Sequence, residues 1–342
     1  MKILSLIIPS YNCSAFLPKC IESMLHPELL AQLEIIVVND GSTDNTAAVA
    51  QDFAEKYPQT IRLINQENKG HGGALNTGCN AAQGKYLKVI DADDWVETAN
   101  LPAFLAYLDS CDSDVVLTHH DTRDVSTGEI RNWKSYPDAF GQAYTLEQVM
   151  EQSQNFDRSL TFHGITYRTD FYQGLNIRLS EKVFYEDHEY ATFPCCKAAC
   201  VTVFDLCIYH YRIGDVQQSV SDVNQLKRLS HMQTVLKRFL TEYNNLPVTD
   251  GGKAFFEMKA QGVLLSYITT VMLVEPDRRK GRRLGSEMMS LFRAQLPGAY
   301  DRSKMQYHIF RCMNLLHFKK ADWERILHSK LYRTLRHSHD FN

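Results

Sequence analysis

Leu87-Lys88-Val89-Ile90-Asp91-Ala92-Asp93-Asp94 joins a short, mostly apolar run to three carboxylates within four residues. The run has the length and composition of a buried strand, so the chain leaves it carrying acid groups at a strand's C-terminal end. Open parallel sheets bind their ligands at that edge. Carboxylates held there, without thiols or clustered histidines beside them, suit a hard divalent cation, Mg2+ or Mn2+, that bridges phosphate oxygens. The ligand expected of such a site is a nucleotide or a sugar phosphate. An acidic turn after a strand is common in itself, and the surroundings decide what it is for.

Those surroundings repeat one pattern. Ile3 to Ile8 is a continuous apolar run stopped by Pro9-Ser10-Tyr11-Asn12, which reads as a buried parallel strand and a binding-edge loop. Phe16, Leu17, Cys20, Ile21, Met24 and Leu25 follow at helical spacing. Glu34 to Val38 is a second strand, Asn39 to Thr46 a turn, and Ala47 to Tyr57 a second helix. Ile61 to Ile64 is a third strand, and Ala74 to Ala82 begins a helix after the loop Asn68-Lys69-Gly70-His71-Gly72-Gly73, whose glycines let backbone amides approach an anion. Alternation of this kind predicts a right-handed, mainly parallel α/β sheet. Asp40, at the end of the second strand, is either a turn residue or an acceptor for a base N–H or a ribose hydroxyl. Tyr11 is either a loop aromatic or a ring lying on a flat base.

Beyond Trp95 the pattern predicts a helix at Leu101–Leu108 and a strand at Asp114–Thr118, with a hairpin or loop over Asp121–Tyr144. A second acidic focus, Phe184-Tyr185-Glu186-Asp187-His188-Glu189-Tyr190, starts a helix. Val201–Phe204 and Ile208–Arg212 read as two further strands. From Val223 onward the spacing is helical to the end, with the Ala254–Val274 helix read as a core or oligomer helix. The expected organisation is a catalytic domain over 1–221, with a nucleotide half (1–100) and an acceptor half (101–221), and a helical region over 222–342.

The net charge of −3 and pI near 6.5 give no sign of nucleic-acid binding. They conceal a basic C-terminal quarter, with 15 Lys and Arg against 5 Asp and Glu from Arg278 to Asn342. A solvated basic face is the ordinary reading of such a run, and an anionic partner the functional one. Nine cysteines without zinc-type spacing predict reduced thiols in the cytoplasm. No leader is visible, and no run is long enough to span a bilayer, so any membrane contact is expected at the surface.

Ser5-Leu-Ile-Ile-Pro-Ser-Tyr-Asn12, Ile36-Val-Val-Asn-Asp-Gly-Ser-Thr-Asp-Asn-Thr46, Asn68-Lys-Gly with Ala74-Leu-Asn76 and Gly84-Lys-Tyr86, and Asp91-Ala-Asp-Asp94 together resemble the N-terminal half of family 2 glycosyltransferases. The likeness is strong over residues 3 to 100 and continues through Glu186-Asp187 and Tyr209-His-Tyr-Arg212 to Gln218-Ser-Val-Ser221. It implies the GT-A fold with a helical C-terminal extension, and an inverting, metal-dependent transfer of sugar from a nucleotide-diphosphate sugar, usually a UDP-sugar. It also implies work on a bacterial cell-surface glycan or its lipid-linked precursor. Carried over by position, Pro9, Tyr11 and Asp40 hold base and ribose, Asn68 and Lys69 line the nucleotide pocket, and Asp91 with Ala92 meets the ribose and metal shell. Asp93 becomes the direct Mn2+ or Mg2+ ligand and Asp187 the general base; His210 is a metal or diphosphate ligand and Arg212 meets the diphosphate.

Two departures stand out. Leu75 occupies a place where many relatives have Arg, leaving Lys69, His71 or Lys88 to supply a cation. Gln217-Gln218-Ser219-Val220-Ser221 replaces the Gln-x-x-Arg-Trp of processive synthases, which implies one sugar per encounter. Two rivals are an inactive nucleotide-sugar-binding subunit, suggested by Leu75, and an aspartyl phosphatase built on Asp91 and Asp93. The latter lacks the Thr/Ser- and Lys-bearing strand ends it needs. The partners expected are thus a nucleotide-sugar donor, a glycan or lipid-linked acceptor and an anionic membrane at the inner face of the plasma membrane; a homo-oligomer is compatible with the sequence.

Overall fold

The apolar runs become the inner strands of one sheet. A computed structural model describes residues 2–133, 141–156, 160–214, 222–246 and 249–328. In it β1 (Leu4–Ser10), α1 (Leu17–Met24), β2 (Leu33–Asp40), α2 (Thr46–Lys56), β3 (Ile61–Gln66), α3 (Gly70–Ala81) and β4 (Tyr86–Val89) follow in turn. These strands pair in parallel in the order β3-β2-β1-β4. All residues of β1, β2 and β4 are buried, as strands covered on both faces must be. Leu17, Cys20, Ile21 and Met24 form the buried stripe of α1 and share a core with Leu4, Leu6 and Ile8. Pro18 stands in the first turn of α1, where a missing N–H costs no hydrogen bond.

The second half extends the same sheet. Its elements are β5 (Trp95–Val96), α4 (Leu101–Ser110), β6 (Val115–Asp124), β7 (Ile130–Trp133), β8 (Ala143–Tyr144), α5 (Leu146–Glu151), α6 (Ser153–Phe156), β9 (Ile165–Arg168), α7 (Thr169–Gly174), α8 (Asp187–Thr192) and β10 (Val201–Ile213). The full order is β3-β2-β1-β4-β9-β6-β10-β5, with β7 on β6 and β8 on β10. β9 runs antiparallel to both β4 and β6, while β6 and β10 are parallel to each other. The expected α/β architecture, a mainly parallel sheet followed by C-terminal helices, is the one observed.

Three boundaries differ from the sequence reading. α3 begins at Gly70 rather than Ala74, so the glycines lie in the helix and not in a loop ahead of it. Gly70 has φ +76°, and a Cβ on Gly72 would lie 2.2 Å from the Ser180 carbonyl oxygen. Both glycines are kept for conformation or close approach, against their poor helix propensity. The runs Val201–Phe204 and Ile208–Arg212 are one strand of 13 residues, made continuous by register shifts around Cys207. Asp121–Asp124 belongs to β6, and the hairpin to β7 is closed by Asp124, whose Oδ1 accepts from the backbone N–H groups of Ser126 and Thr127.

The chain divides into two compact units, Met1–Gln218 with Leu246–Phe256, and Ser219–Asn245 with Glu257–Asn342. The second contains α9 (Asp222–Lys227), α10 (Leu229–Asn244), most of α11 (Asp250–Thr269), α12 (Arg278–Gln295), α13 (Pro297–Leu315) and α14 (Lys320–His328). Within it Asn314 of α13 donates to the Met272 carbonyl at 2.7 Å and accepts from Arg282 of α12 at 2.6 Å. Met305 and Leu316 are exposed on a groove that Lys304 and His308 also line. Among the described residues no helix is long and apolar enough to cross a membrane. Residues 217–221, where the processive motif was sought, and 329–342 of the basic tail lie outside the described residues.

Candidate active site

β4 delivers the acidic turn to the C-terminal edge of the sheet, and its three carboxylates have different surroundings. Asp94 is buried. Its Oδ2 accepts from the Tyr209 hydroxyl at 2.5 Å and its Oδ1 from the Arg212 backbone N–H at 2.7 Å, so both oxygens are tied to β10. Burial, then Asp93 and Asp91, holds its carboxyl well above the usual range. Asp93 is half-buried and pushed up to about 6, first by burial and then by Asp91, although Arg212 and His71 pull it down. A crowded, half-buried carboxylate next to a second one is what a hard divalent cation relieves, and the pair of oxygen donors fits Mg2+ or Mn2+.

Asp91 is joined to the second acidic focus through one side chain. His71, the second residue of α3, places Nε2 2.9 Å from Asp91 Oδ1 and Nδ1 2.5 Å from Glu186 Oε1. Burial opposes a charge on this imidazole, but Asp91 and Glu186 outweigh it and hold His71 well above its ordinary range. Gly72 makes the approach possible, because its Cβ would also stand 2.8 Å from Glu186 Cγ. Tyr185, just before Glu186, has φ +75°, a strained backbone position for a bulky residue. The Tyr167 hydroxyl of β9 donates to the Tyr190 carbonyl at 2.7 Å and seats α8 on the sheet.

The Tyr211 phenol is raised first by burial and then by Asp94, Asp91, Asp187 and Asp93, carboxylates of both acidic foci. Asp187 is half-exposed on the first turn of α8. His163 stacks on Tyr211 with ring centroids 4.3 Å apart. Arg212 lies over the Phe16 ring at 4.8 Å and electrostatically lowers Asp93. Lys19, which carried no sequence signal, rests 3.0 Å above the Trp95 ring and feels Asp94, Arg123 and Arg212.

The nucleotide-side residues lie along the same strand ends. Pro9 is buried in β1 opposite Val38, and Tyr11 is 52% exposed just beyond it. Asn12 Oδ1 accepts from the Thr43 backbone N–H at 2.8 Å and binds the first loop to the second. Asp40 is buried; its Oδ1 accepts from the Lys69 N–H at 2.8 Å and the Gln66 amide at 2.6 Å, while its buried Oδ2 has no partner among the described residues. Asn68 and Lys69 are exposed, Asn68 Oδ1 accepting from the Gly70 N–H at 3.2 Å. Ala92 is buried inside the acidic turn.

One expectation is corrected. Lys88 cannot take the place of the missing Arg, because it is buried in β4 with Nζ donating to the His163 and Ile165 carbonyls at 2.7 and 3.2 Å. Of the three cations considered, His71 is the one beside Asp91. His210 belongs to another set of contacts. Strand alternation turns it to the opposite face from Tyr209 and Tyr211, and its ring nitrogens meet Asp121 at 2.8 Å and Glu97 at 3.3 Å. Cys207 lies on that second face too, its thiol pushed up to about 12 by burial and then by Asp121.

A family model described as glycosyl transferase family 2 matches residues 5–183. Among curated proteins, the uncharacterized glycosyltransferase YibD of Escherichia coli (strain K12) is 40% identical over 134 residues, covering 39% of this chain and 38% of that protein. Glycosyltransferase GlyG of Streptococcus pneumoniae serotype 4 is 29% identical over 152 residues, 44% of this chain and 50% of GlyG. The matched stretch thus spans half or less of the length of these relatives. Among solved structures, S. aureus TarS 1–349 in complex with UDP-GlcNAc superposes with a TM-score of 0.58 at 18% identity, covering 93% of each chain. That likeness is one of fold.

Proposed function

Starting from glycosyl transferase family 2, to which this chain belongs, we propose that it moves a sugar from a UDP-sugar to a hydroxyl of a glycan or lipid-linked acceptor, with inversion and one sugar per encounter. The observation that carries this reading is the His71 bridge, Nε2 2.9 Å from Asp91 Oδ1 and Nδ1 2.5 Å from Glu186 Oε1, which brings the acidic turn beside the residue preceding Asp187. It supports a leaving-group site and a proton acceptor lining one cleft. The S. aureus TarS structures, similar in fold, were solved with UDP and with UDP-GlcNAc, which supports the choice of nucleotide.

Asp187 takes the acceptor hydroxyl's proton as the oxygen attacks the anomeric carbon. The glycosidic bond forms on one face while the bond to the diphosphate oxygen breaks on the other. Asp93, with Asp91 beside it, would hold Mn2+ or Mg2+, and the ion would offset charge on the departing diphosphate. Arg212 and the His71 imidazolium add fixed positive charge at that end. On the nucleotide side, Asp40 Oδ2 is the acceptor left for a base or ribose donor, Tyr11 stacks on the base, and Pro9, Asn68, Lys69 and Ala92 shape the pocket. The exposed apolar and basic groove of α13 supports peripheral contact with an anionic membrane.

Replacing Asp187 with Asn tests the assignment. Transfer falls by about 10²–10⁴-fold, the usual contribution of a general base, while UDP binding measured by calorimetry is retained. Unchanged turnover in that variant removes Asp187 from the chemistry. A panel of UDP-, GDP- and TDP-sugars hydrolysed with Mn2+ present identifies the donor; indifference to the nucleotide refutes the UDP assignment.

A further inference from the structure

The face of β10 turned away from Tyr209 and Tyr211 holds a second constellation. His210 and Asp121 are directly opposed in the β6–β10 register, with His210 Nδ1 2.8 Å from Asp121 Oδ1. In an unbroken strand the residue three places earlier points to the other face. β10 is broken: its register shifts between Phe204 and Cys207 and again between Cys207 and Tyr209. Such bulges re-aim side chains, and here they bring Cys207 Sγ to 4.0 Å from His210 Nδ1. The ligand atoms of Asp121, Cys207 and His210 all lie within 4.8 Å of one another.

What surrounds the three has the form of an outer shell. His210 Nε2 faces Glu97 Oε2 at 3.3 Å. Asp121 Oδ2 accepts from Arg123 Nε at 3.2 Å and Nη2 at 3.1 Å, and Oδ1, the oxygen nearest His210, lies 3.3 Å from the same Nε. A metal-bound histidine characteristically hands its other N–H to a carboxylate, and a ligating carboxylate is itself hydrogen-bonded. Asp121 and His210 are buried and Cys207 half-buried, so the site is set into the sheet and still reachable.

We propose that Asp121, Cys207 and His210 bind a zinc ion, at a site separate from Asp91 and Asp93 and independent of the sugar-transfer reading. One sulfur, one nitrogen and one oxygen donor suit Zn2+, with water completing four-coordination; the thiolate discriminates against the hard cations expected at Asp93. On binding, the Cys207 thiol proton leaves to solvent as the sulfur–metal bond forms. His210 ligates through Nδ1 and keeps its proton on Nε2 for Glu97. The thiolate and the Asp121 carboxylate balance the ion's two charges. The ion pins β6 to β10 behind the strand that carries Tyr209, Tyr211 and Arg212.

The test uses the metal-free chain with Cys312→Ser, which removes the exposed cysteine. One equivalent of Co2+ develops a thiolate-to-cobalt charge-transfer band in the near ultraviolet, and Zn2+ displaces it. The band persists in Asp93→Asn and is lost in Cys207→Ser. Glu97→Ala, which keeps all three ligands, weakens binding by roughly 10–100-fold with an unchanged circular dichroism spectrum. Absence of the band, its persistence in Cys207→Ser, or unaltered affinity in Glu97→Ala overturns the assignment and leaves a hydrogen-bonded cluster without metal.

Discussion

Removing the imidazole that joins Asp91 to Glu186, by His71→Ala, is expected to destabilise the first unit by an amount that depends on pH. The Glu186 side chain is 3% exposed and loses the imidazole it pairs with. A hydrogen bond to a charged group contributes about 1.5–3 kcal/mol, and at this end it is lost in full. At the other end Asp91 is 28% and His71 35% exposed, so water replaces the contact and the loss is about 0–1 kcal/mol. The variant should therefore be less stable by about 2–4 kcal/mol in mild acid.

The pH dependence has a fixed sign. Although burial opposes the charge, Asp91 and Glu186 raise His71 in the folded chain, whereas the unfolded chain releases that proton near about pH 6.5. Stabilisation by His71 is complete below that pH and is lost as pH rises through the folded value. Urea midpoints of wild type and variant, measured without metal from mild acid to alkali, should differ most in acid and converge in alkali. A difference that is constant, or that widens with pH, refutes a charged His71 bridging the two carboxylates.

Lys88 has the opposite sign. Burial pushes its ammonium down to about 7, so the folded chain sheds a proton that the unfolded chain keeps, and relative to Lys88→Met the wild type should gain stability as pH rises from about 7 to about 10; parallel pH profiles would contradict it. Chelation should stop transfer and Mn2+ restore it, while in Asp93→Asn even excess Mn2+ fails to do so; full activity in the chelated enzyme would exclude the metal. Gly72→Ala gains roughly 1 kcal/mol of helix propensity but forces Ser180 and Glu186 away, at about 1–3 kcal/mol of overpacking and with a lower kcat; an activity equal to wild type would show that the close approach is dispensable. Vesicle binding should rise with anionic lipid, fall with salt and weaken in a Met305→Asp, Leu316→Asp double variant, and indifference to all three would sink the membrane contact.

Much of the first half is legible because its strands are buried on both faces and carry apolar runs, as Leu6–Ile8 and Ile35–Val38 do. The start of α3 is hidden because Gly70, Gly72 and Gly73 look like loop residues; the reason for the first two, the closeness of Lys182 to Gly70 and of Ser180 and Glu186 to Gly72, lies more than a hundred residues away. β10 read as two strands because a bulge interrupts its alternation at Cys207, and the same bulge concealed which side chains share His210's face. Asp91, Asp93, Glu186 and Asp187 were found by motif. The contact of Asp91 and Glu186 with His71 was not, since no local spacing records a contact made by tertiary folding. Lys19 gave no signal because a lysine on an amphipathic helix looks like any solvated one.

β9 enters the sheet backwards, between the last strand of one parallel block and the first of the next. Leu87, four residues ahead of Asp91, pairs with Tyr167, and the hydroxyl of that tyrosine grips the backbone of the helix that begins at Asp187. The gap between the two acids is thereby measured out by a rigid spacer, much as the throat of a caliper is set by its frame. Enzymes built this way have little freedom to suit a bulkier acceptor by widening that gap, and must instead change the walls that face it.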